Sequence, residues 1–361
     1  MRVNPVAPED HKKYKIVFFT IAIDSRDPVL AQNVDWVIGL AQSFREVNVF
    51  AFHVGDYPSF PGNVKIFHFG GKSIQEKIRG MLNAIRLVSW SIGKGKGAVL
   101  YHMTTWPILF FGPLFKLRAW KQGVWYSHNY ADWPLRITGC FIDKYFSPTI
   151  ETFPLEVNSK LIATGHSLDF SSVSNPNLTQ MDRKLDSIFC IGRIAPVKRI
   201  EILLQELAVV RDTNRNEITV TLLGPTQDQR YLEFLQRQAT SLGIVLAVMG
   251  PMGRSTLLQF LKQVKFIFNG TPRSVDKSAL EACASGAILI SNNEALQHLT
   301  GMDWFWQRSN SGKIPEIHEQ INNLLRLSND ELNEIASHIQ ITTRVENDLV
   351  NTLRVIKTQL T

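Results

Sequence analysis

Cysteine is scarce: three residues in 361, at Cys140, Cys190 and Cys283, widely separated and in no CxxC or metal-ligand spacing. That excludes a disulfide scaffold and fits a reducing, cytoplasmic compartment better than a secreted one. The opening stretch, MRVNPVAPEDHKKYK, is polar and has no signal-peptide core. Long apolar runs are absent too. The nearest is Trp106–Phe115, WPILFFGPLF, which contains two prolines and falls well short of the roughly 20 residues of a membrane span. Two phosphate-binding fingerprints are missing: no GxGxxG follows the first strand, and no GxxxxGK[ST] occurs anywhere.

What is present is ordinary globular composition, 44% apolar and 20% charged, in a chain long enough for two domains. The net charge of +7 is uneven. Residues 1–170 hold 19 Lys and Arg against 13 Asp and Glu, whereas the remainder holds 20 against 19. An excess confined to the first half suits an anionic membrane surface, an anionic lipid or a polyanion, and it also serves solubility. Nucleic acid is a poor fit, since no recognition motif accompanies the basic pI of 9.3.

The chain reads as two successive α/β series. In the first, apolar runs predict strands at Tyr14–Ile21, Val47–Val54, Ala98–Met103 and Gly123–Tyr126, with short strands at Tyr145–Ser147 and Lys160–Ala163. A helix is expected near Val29–Phe44, capped by Asp27 with Pro28 at its first position. Asp24 and Arg26, at the end of the first strand, are candidate substrate contacts; the plainer role of this turn is capping. Ser73–Ile92 predicts a helix whose stripe, Ile74, Ile78, Met81, Ile85, Val88 and Ile92, repeats at four and three. Lys72, Lys77, Arg79, Arg86, Lys94 and Lys96 surround that stripe. Such a helix either faces the core or lies on an anionic membrane. The aromatic segment after it, with Trp106, Phe110, Phe111 and Phe115, either packs on the sheet, lines an acceptor site or meets lipid. His128 stands at the carboxyl end of a strand, where ligands bind in open α/β sheets.

The second series begins with a strand at Ser187–Ile191, continues through Glu217–Leu223, Val245–Met249, Phe266–Phe268 and Ala287–Ser291, and closes with helices at Glu316–Leu327 and Asp330–Gln359. Gly192-Arg193 follows the first of these strands and Lys198 lies five residues further on. Two cations fixed at a strand end suit a diphosphate, Arg as a fork and Lys as a point charge. A polar loop from Asn269 then opens a helix that carries Glu281. Its start is an anion site by virtue of unpaired N–H groups and the helix dipole. An acid about one turn inside can face a ribose.

Gly192-Arg193 with Lys198, together with Ser274-Val275-Asp276-Lys277-Ser278-Ala279-Leu280-Glu281-Ala282-Cys283-Ala284-Ser285-Gly286, resembles the donor-site motifs of retaining GT-B glycosyltransferases of family 4. Trp125-Tyr126-Ser127-His128 and Gly165-His166-Ser167-Leu168-Asp169 are similar to the corresponding stretches, in the same order. The resemblance implies an α/β GT-B fold, two Rossmann-like domains facing across a cleft. It places an acceptor-side domain at 1–169, a linker at 170–184, a nucleotide-sugar donor domain at 185–342, and a C-terminal helix at 343–361 that packs back on the first domain.

The implied activity is a hexosyltransferase that moves a sugar from a UDP- or GDP-linked donor to a glycan or lipid-linked acceptor, at the cytoplasmic membrane face and in polysaccharide synthesis. Arg193 and Lys198 would hold the donor diphosphate, Glu281 the ribose, and His128 would lie near the reacting centre. Gly192, Ser274, Asp276 and Lys277 complete the donor set; Asp24, Arg26 and Trp106 are the acceptor-side candidates. The family's first Glu, eight residues before the ribose Glu, is replaced by Arg273. Asp276 and Lys277 lie in the same loop and can substitute, or the chain is a catalytically silent subunit that binds a nucleotide sugar or a partner. A nucleotide-sugar epimerase or a phosphorylase shares the two-domain form, but nothing here marks a pyridoxal phosphate site. No DxD pair occurs, so neither a metal nor another cofactor is expected.

Overall fold

The computed structural model describes residues 14–27, 30–71, 73–92, 95–156, 159–171, 186–210, 218–309 and 314–361. Pro28, Lys72, Lys94 and most of the expected linker, 172–184, lie outside them. So do the side chains of Ile74, Lys77, Ile78, Met81 and Ile92. The chain forms two compact units, residues 1–169 with 348–361, and residues 170–347.

The first unit runs β1 (Lys15–Ile23), α1 (Asn33–Ser43), β2 (Glu46–Val54), β3 (Val64–His68), α2 (Ile74–Ile92), β4 (Gly97–His102), α3 (Trp106–Leu117), β5 (Lys121–Trp125), α4 (Trp133–Ile137), β6 (Lys144–Ser147) and β7 (Leu161–Ala163). All seven strands are parallel, in the order β3-β2-β1-β4-β5-β6-β7. Parallel sheets are covered on both faces, which is why β1 reads as a continuous apolar run. Ile16 and Phe18 point to the α1 side, and Val17 and Phe19 to the layer of α2, α3 and α4.

The second unit runs β8 (Ser187–Ile191), α5 (Ile200–Val209), β9 (Thr219–Leu223), α6 (Gln229–Leu242), β10 (Val245–Val248), α7 (Arg254–Phe260), β11 (Phe266–Phe268), α8 (Lys277–Ala284), β12 (Ile288–Ile290), α9 (Glu294–Thr300), α10 (Met302–Ser309), α11 (Ile317–Leu325) and α12 (Asn329–Asn347). Its five strands are parallel, in the order β10-β9-β8-β11-β12. α5 packs between α6 and α11, while α8, α9 and α12 pack together.

The closing helix is broken. Asp348 ends α12 and caps α13 (Leu349–Leu360), accepting the Asn351 N–H at 3.2 Å. The return to the first unit therefore starts at 348, not 343. Leu349, Leu353, Ile356 and Leu360 join the core beside Trp36, Val37 and Leu40. Gly39 permits this approach, because a Cβ there would lie 2.2 Å from Leu353 Cδ1. Thr352 donates to the Thr164 carbonyl at 2.8 Å and the Ser167 hydroxyl donates to Thr352 at 2.9 Å, tying α13 to the turn after β7.

Two expectations need correction. α1 starts at Asn33, four residues later than expected. Asp27 accepts the Leu30 N–H at 2.7 Å, ahead of the helix. Buried Asn33 sets the helix start by donating to Thr20 Oγ1 and to the Ala22 carbonyl at 3.0 and 2.8 Å. Of the described side chains in the expected α2 stripe, Val88 is buried and Ile85 is not. Ala84, Val88 and Ser91 face inward, while Ile85 is 41% exposed. Successive helix positions differ by about 100°, so Ile85, next to buried Ala84, lies at the margin of the inward face.

Candidate functional site

In an open parallel sheet, ligands bind at the carboxyl edge where the strand order reverses. In the second unit that point lies between β8 and β11, from which the chain continues outward in opposite directions. The residues after β8 and those after β11 meet there.

β8 ends in Gly192, whose φ of +115° is open to glycine and strained for other residues. Its N–H donates to the Leu223 carbonyl at 2.9 Å. A Cβ at Gly192 would lie 3.2 Å from Lys198 Nζ and 3.5 Å from Ser278 Oγ. A side chain here would therefore crowd the cation, in addition to straining the backbone. A short turn, Pro196–Lys198, with the Lys198 N–H donating to the Ala195 carbonyl at 2.9 Å, brings Lys198 back over the strand end. Arg193 is exposed and donates to Gln227 Oε1 at 3.2 Å.

After β11, buried Asn269 donates through Nδ2 to Asp276 Oδ2 at 2.6 Å. Asp276 caps α8, accepting the Ser278 N–H at 3.1 Å on its other oxygen. The same carboxylate pairs with Lys198 Nζ, both side chains being largely buried. The loop 271–274 is pinned by Asn293, whose Nδ2 donates to the carbonyls of Thr271 and Ser274 at 2.8 and 2.9 Å. Arg273 has a φ of +57° and is exposed. Glu281 is 5% exposed, with Lys277 Nζ 3.8 Å from its carboxylate. The site thus joins Gly192, Lys198, Asp276 and Ser278 directly, with Lys277 at the helix start and Glu281 one turn on. Arg193 turns toward Gln227 instead.

Sequence reasoning passed over Asn269 and Gln227. Asn269 is the first residue after an apolar strand, a position that could have marked it. Nothing local marks Gln227. The nearby thiols are inert: burial pushes Cys190 up to about 12 and raises Cys283 as well. Among the described residues, no group of three or more His, Cys, Asp or Glu side chains is placed to hold a metal.

The other candidates stand at the carboxyl edge of the first sheet. His128 follows β5, stacked on Tyr130 and edge-on to Tyr126, each 5.3 Å away. Burial lowers its pKa, against an opposing pull from Asp132, so the imidazole is neutral at pH 7. Trp106 opens α3, half exposed and edge-on to Trp133 at 4.9 Å. Asp24 accepts the Arg26 N–H at 2.9 Å, and Arg26 pairs with Asp56 at 2.9 Å. Both therefore build the turn after β1.

No family model matches the sequence, and no curated protein matches it. Solved structures match in fold. Anabaena HepE, solved with UDP and glucose, superposes with a TM-score of 0.64 at 12% identity, covering 96% of this chain and 99% of that one. An α,α-trehalose-phosphate synthase (UDP-forming) from Burkholderia vietnamiensis gives 0.63 at 11%, covering 96% and 98%. WaaG, a glycosyltransferase involved in lipopolysaccharide biosynthesis, gives 0.53 at 11%, covering 96% and 99%. At these identities the likeness is one of fold: the chain has the GT-B fold, with two Rossmann-like domains.

Proposed function

We propose that the chain is a metal-independent, retaining glycosyltransferase of the family 4 type. It moves a sugar from a nucleotide-sugar donor to a glycan or lipid-linked acceptor. One observation carries the reading: Gly192, Lys198 and the start of α8 converge where the strand order of the second sheet reverses. UDP, glucose and UDP-glucose in structures of the same fold favour a UDP-linked donor over a GDP-linked one.

In this reading the diphosphate lies between Lys198 and the N-terminus of α8, with Arg193 swinging from Gln227 to grip it. Glu281 accepts from the ribose hydroxyls. As the bond from the anomeric carbon to the phosphate oxygen breaks, negative charge grows on the diphosphate, and fixed cations stabilise it. Departure and attack occur on one face, assisted by the leaving phosphate. Losing one comparable oxyanion donor costs about 2.7–4 kcal/mol, so Arg193→Ala lowers turnover by roughly a hundredfold or more.

The test is calorimetric titration with UDP and GDP of the wild type, Arg193→Ala and Glu281→Ala. Micromolar binding of one nucleotide, weakened by both substitutions, supports the reading, and binding of neither by the folded wild type refutes it. Arg273, in the position of the family's first Glu, favours a second reading, a catalytically silent subunit. Nucleotide binding with no hydrolysis or transfer across a wide panel of donors and acceptors would select it.

A further inference from the structure

α2, α3 and α4 form one layer on the first sheet, with α3 packed between the other two. α3 is apolar around almost its whole circumference. Ile108, Phe111 and Phe115 are buried against the sheet, yet the outer face presents Trp106, Phe110 and Leu117 at 49, 50 and 84% exposure. An ordinary surface helix keeps that face polar. The neighbours extend it: Leu82 and Trp90 on α2 and Trp133 and Ile137 on α4 are each more than half exposed. The layer on the opposite sheet face differs. Among the described residues of α1 and α13, Val350 alone is a large exposed hydrophobic. Large exposed apolar side chains gathered on one helix layer, with Trp106 and Trp133 in contact, mark an interaction site.

The charges say what covers it. Arg79 and Arg86 on α2, Lys116 and Arg118 at the end of α3, and Arg136 on α4 are all exposed. Lys65 Nζ lies 4.7 Å above the Trp90 ring. The acids on these elements are fewer. Asp132 is engaged in capping α4 and in accepting from Thr105, Asp143 lies 3.6 Å from Lys116, and Glu76 sits in the first turn of α2. Tryptophans with a polar tip, aliphatic side chains and a basic surround match the boundary between lipid headgroups and acyl chains. A second copy seated face to face would set these cations against one another, an arrangement that like charges oppose.

We infer that the outer face of α2, α3 and α4 docks on an anionic lipid bilayer, with Phe110 and Leu117 entering the interface and the surrounding Arg and Lys meeting phosphate headgroups. This surface is separate from the donor site, and its test uses no nucleotide. The full chain is floated with vesicles of phosphatidylcholine, and with vesicles of equimolar phosphatidylcholine and phosphatidylglycerol, at low and high salt. Binding to the mixed vesicles should exceed binding to phosphatidylcholine by about tenfold or more and fall with salt. The double variant Phe110→Ser with Leu117→Ser should lose about tenfold or more, since burial of exposed apolar area drives insertion. Arg118→Glu with Arg136→Glu should lose binding without removing an apolar group, which keeps the test valid if the serine variant folds poorly. No binding to mixed vesicles overturns the inference, as does binding that both variants retain. Light scattering without lipid decides the remaining case: a dimer that the serine variant dissolves would make this face an interface between copies.

Discussion

Asp276 occupies both groups that a diphosphate would use in the proposed site, and Asp276→Asn tests what that means. The carboxylate pairs with Lys198 and accepts the Ser278 N–H at the start of α8. Asn caps helices about as well as Asp, so the start of α8 survives the change. The one amide oxygen keeps the Ser278 N–H, and the amide NH2 then faces Asn269 Nδ2 and Lys198, which lose that acceptor. What also disappears is one negative charge beside the phosphate position. Two like unit charges roughly 5 Å apart repel by about 3 kcal/mol at an effective dielectric near 20. Lys198 screens part of this, and taking half leaves about 1.5 kcal/mol, or roughly tenfold. UDP should therefore bind Asp276→Asn about tenfold more tightly than wild type, while uridine, which has no phosphate, should bind both equally. Paired calorimetric titrations read this directly, with thermal melting as the control on folding. Unchanged or weaker UDP binding by a normally melting variant would refute the reasoning and return Asp276 to a sugar-holding role. Absence of UDP binding by both proteins would instead refute the donor site itself.

Other predictions follow from single residues. Glu281→Gln should weaken UDP by about tenfold to a hundredfold, through loss of a charged hydrogen bond worth about 1.5–3 kcal/mol, and leave 2′-deoxy-UDP affected less. Transfer activity should survive EDTA, and a complete, reversible loss on chelation would contradict the metal-independent reading. His102 is fully buried among Phe18, Trp36 and Trp125, and burial lowers its pKa to about 3. The unfolded chain regains a His near 6.5, binds more protons below that pH, and so stability falls as pH drops from about 6.5 toward 3. At pH 4.5 the loss from this residue is about 2.7 kcal/mol. In urea unfolding followed by tryptophan fluorescence, His102→Met should remove about that much of the difference between pH 7.5 and pH 4.5; an unchanged difference would show that His102 is not responsible.

The strands that sequence displays best are those buried on both faces. β1, β2 and β4 are largely apolar runs because helices cover both sides of them. β3, VKIFH, escaped notice because it lies at the sheet edge and none of its residues is fully buried. α9 and α10 escaped for a different reason. Gln297 and Thr300 are completely buried, and Gln297 joins the Ser291 carbonyl to Trp306 Nε1 at 2.6 and 3.2 Å. Satisfied polar groups turned inward defeat a periodicity that counts only apolar residues. On α2 the reading placed Ile85 and Val88 on one apolar face, and packing buries Val88 while leaving Ile85 exposed.

The site shows the same division between residue type and partner. Gly192 and Lys198 are legible as a glycine and a cation following a strand, and Glu281 as an acid one turn into a helix. Their pairings are not. Lys198 and Asp276 are 78 positions apart, and they meet because β8 and β11 are neighbours in the sheet while being remote in the chain. In sequence Asp276 reads as one of the donor set and as a substitute grip on a sugar. Its contact with Lys198 makes it a competitor for the phosphate cation. A carboxylate there raises the threshold a ligand must meet, since a single phosphate offers less charge to displace it than a diphosphate does. The same pairing that weakens UDP should therefore sharpen discrimination against UMP. Asp276→Asn should narrow the ratio of UDP to UMP affinity as it raises both. A ratio that widens would mean that Asp276 contacts the distal phosphate or its sugar directly, and that Lys198 is free once the ligand is bound.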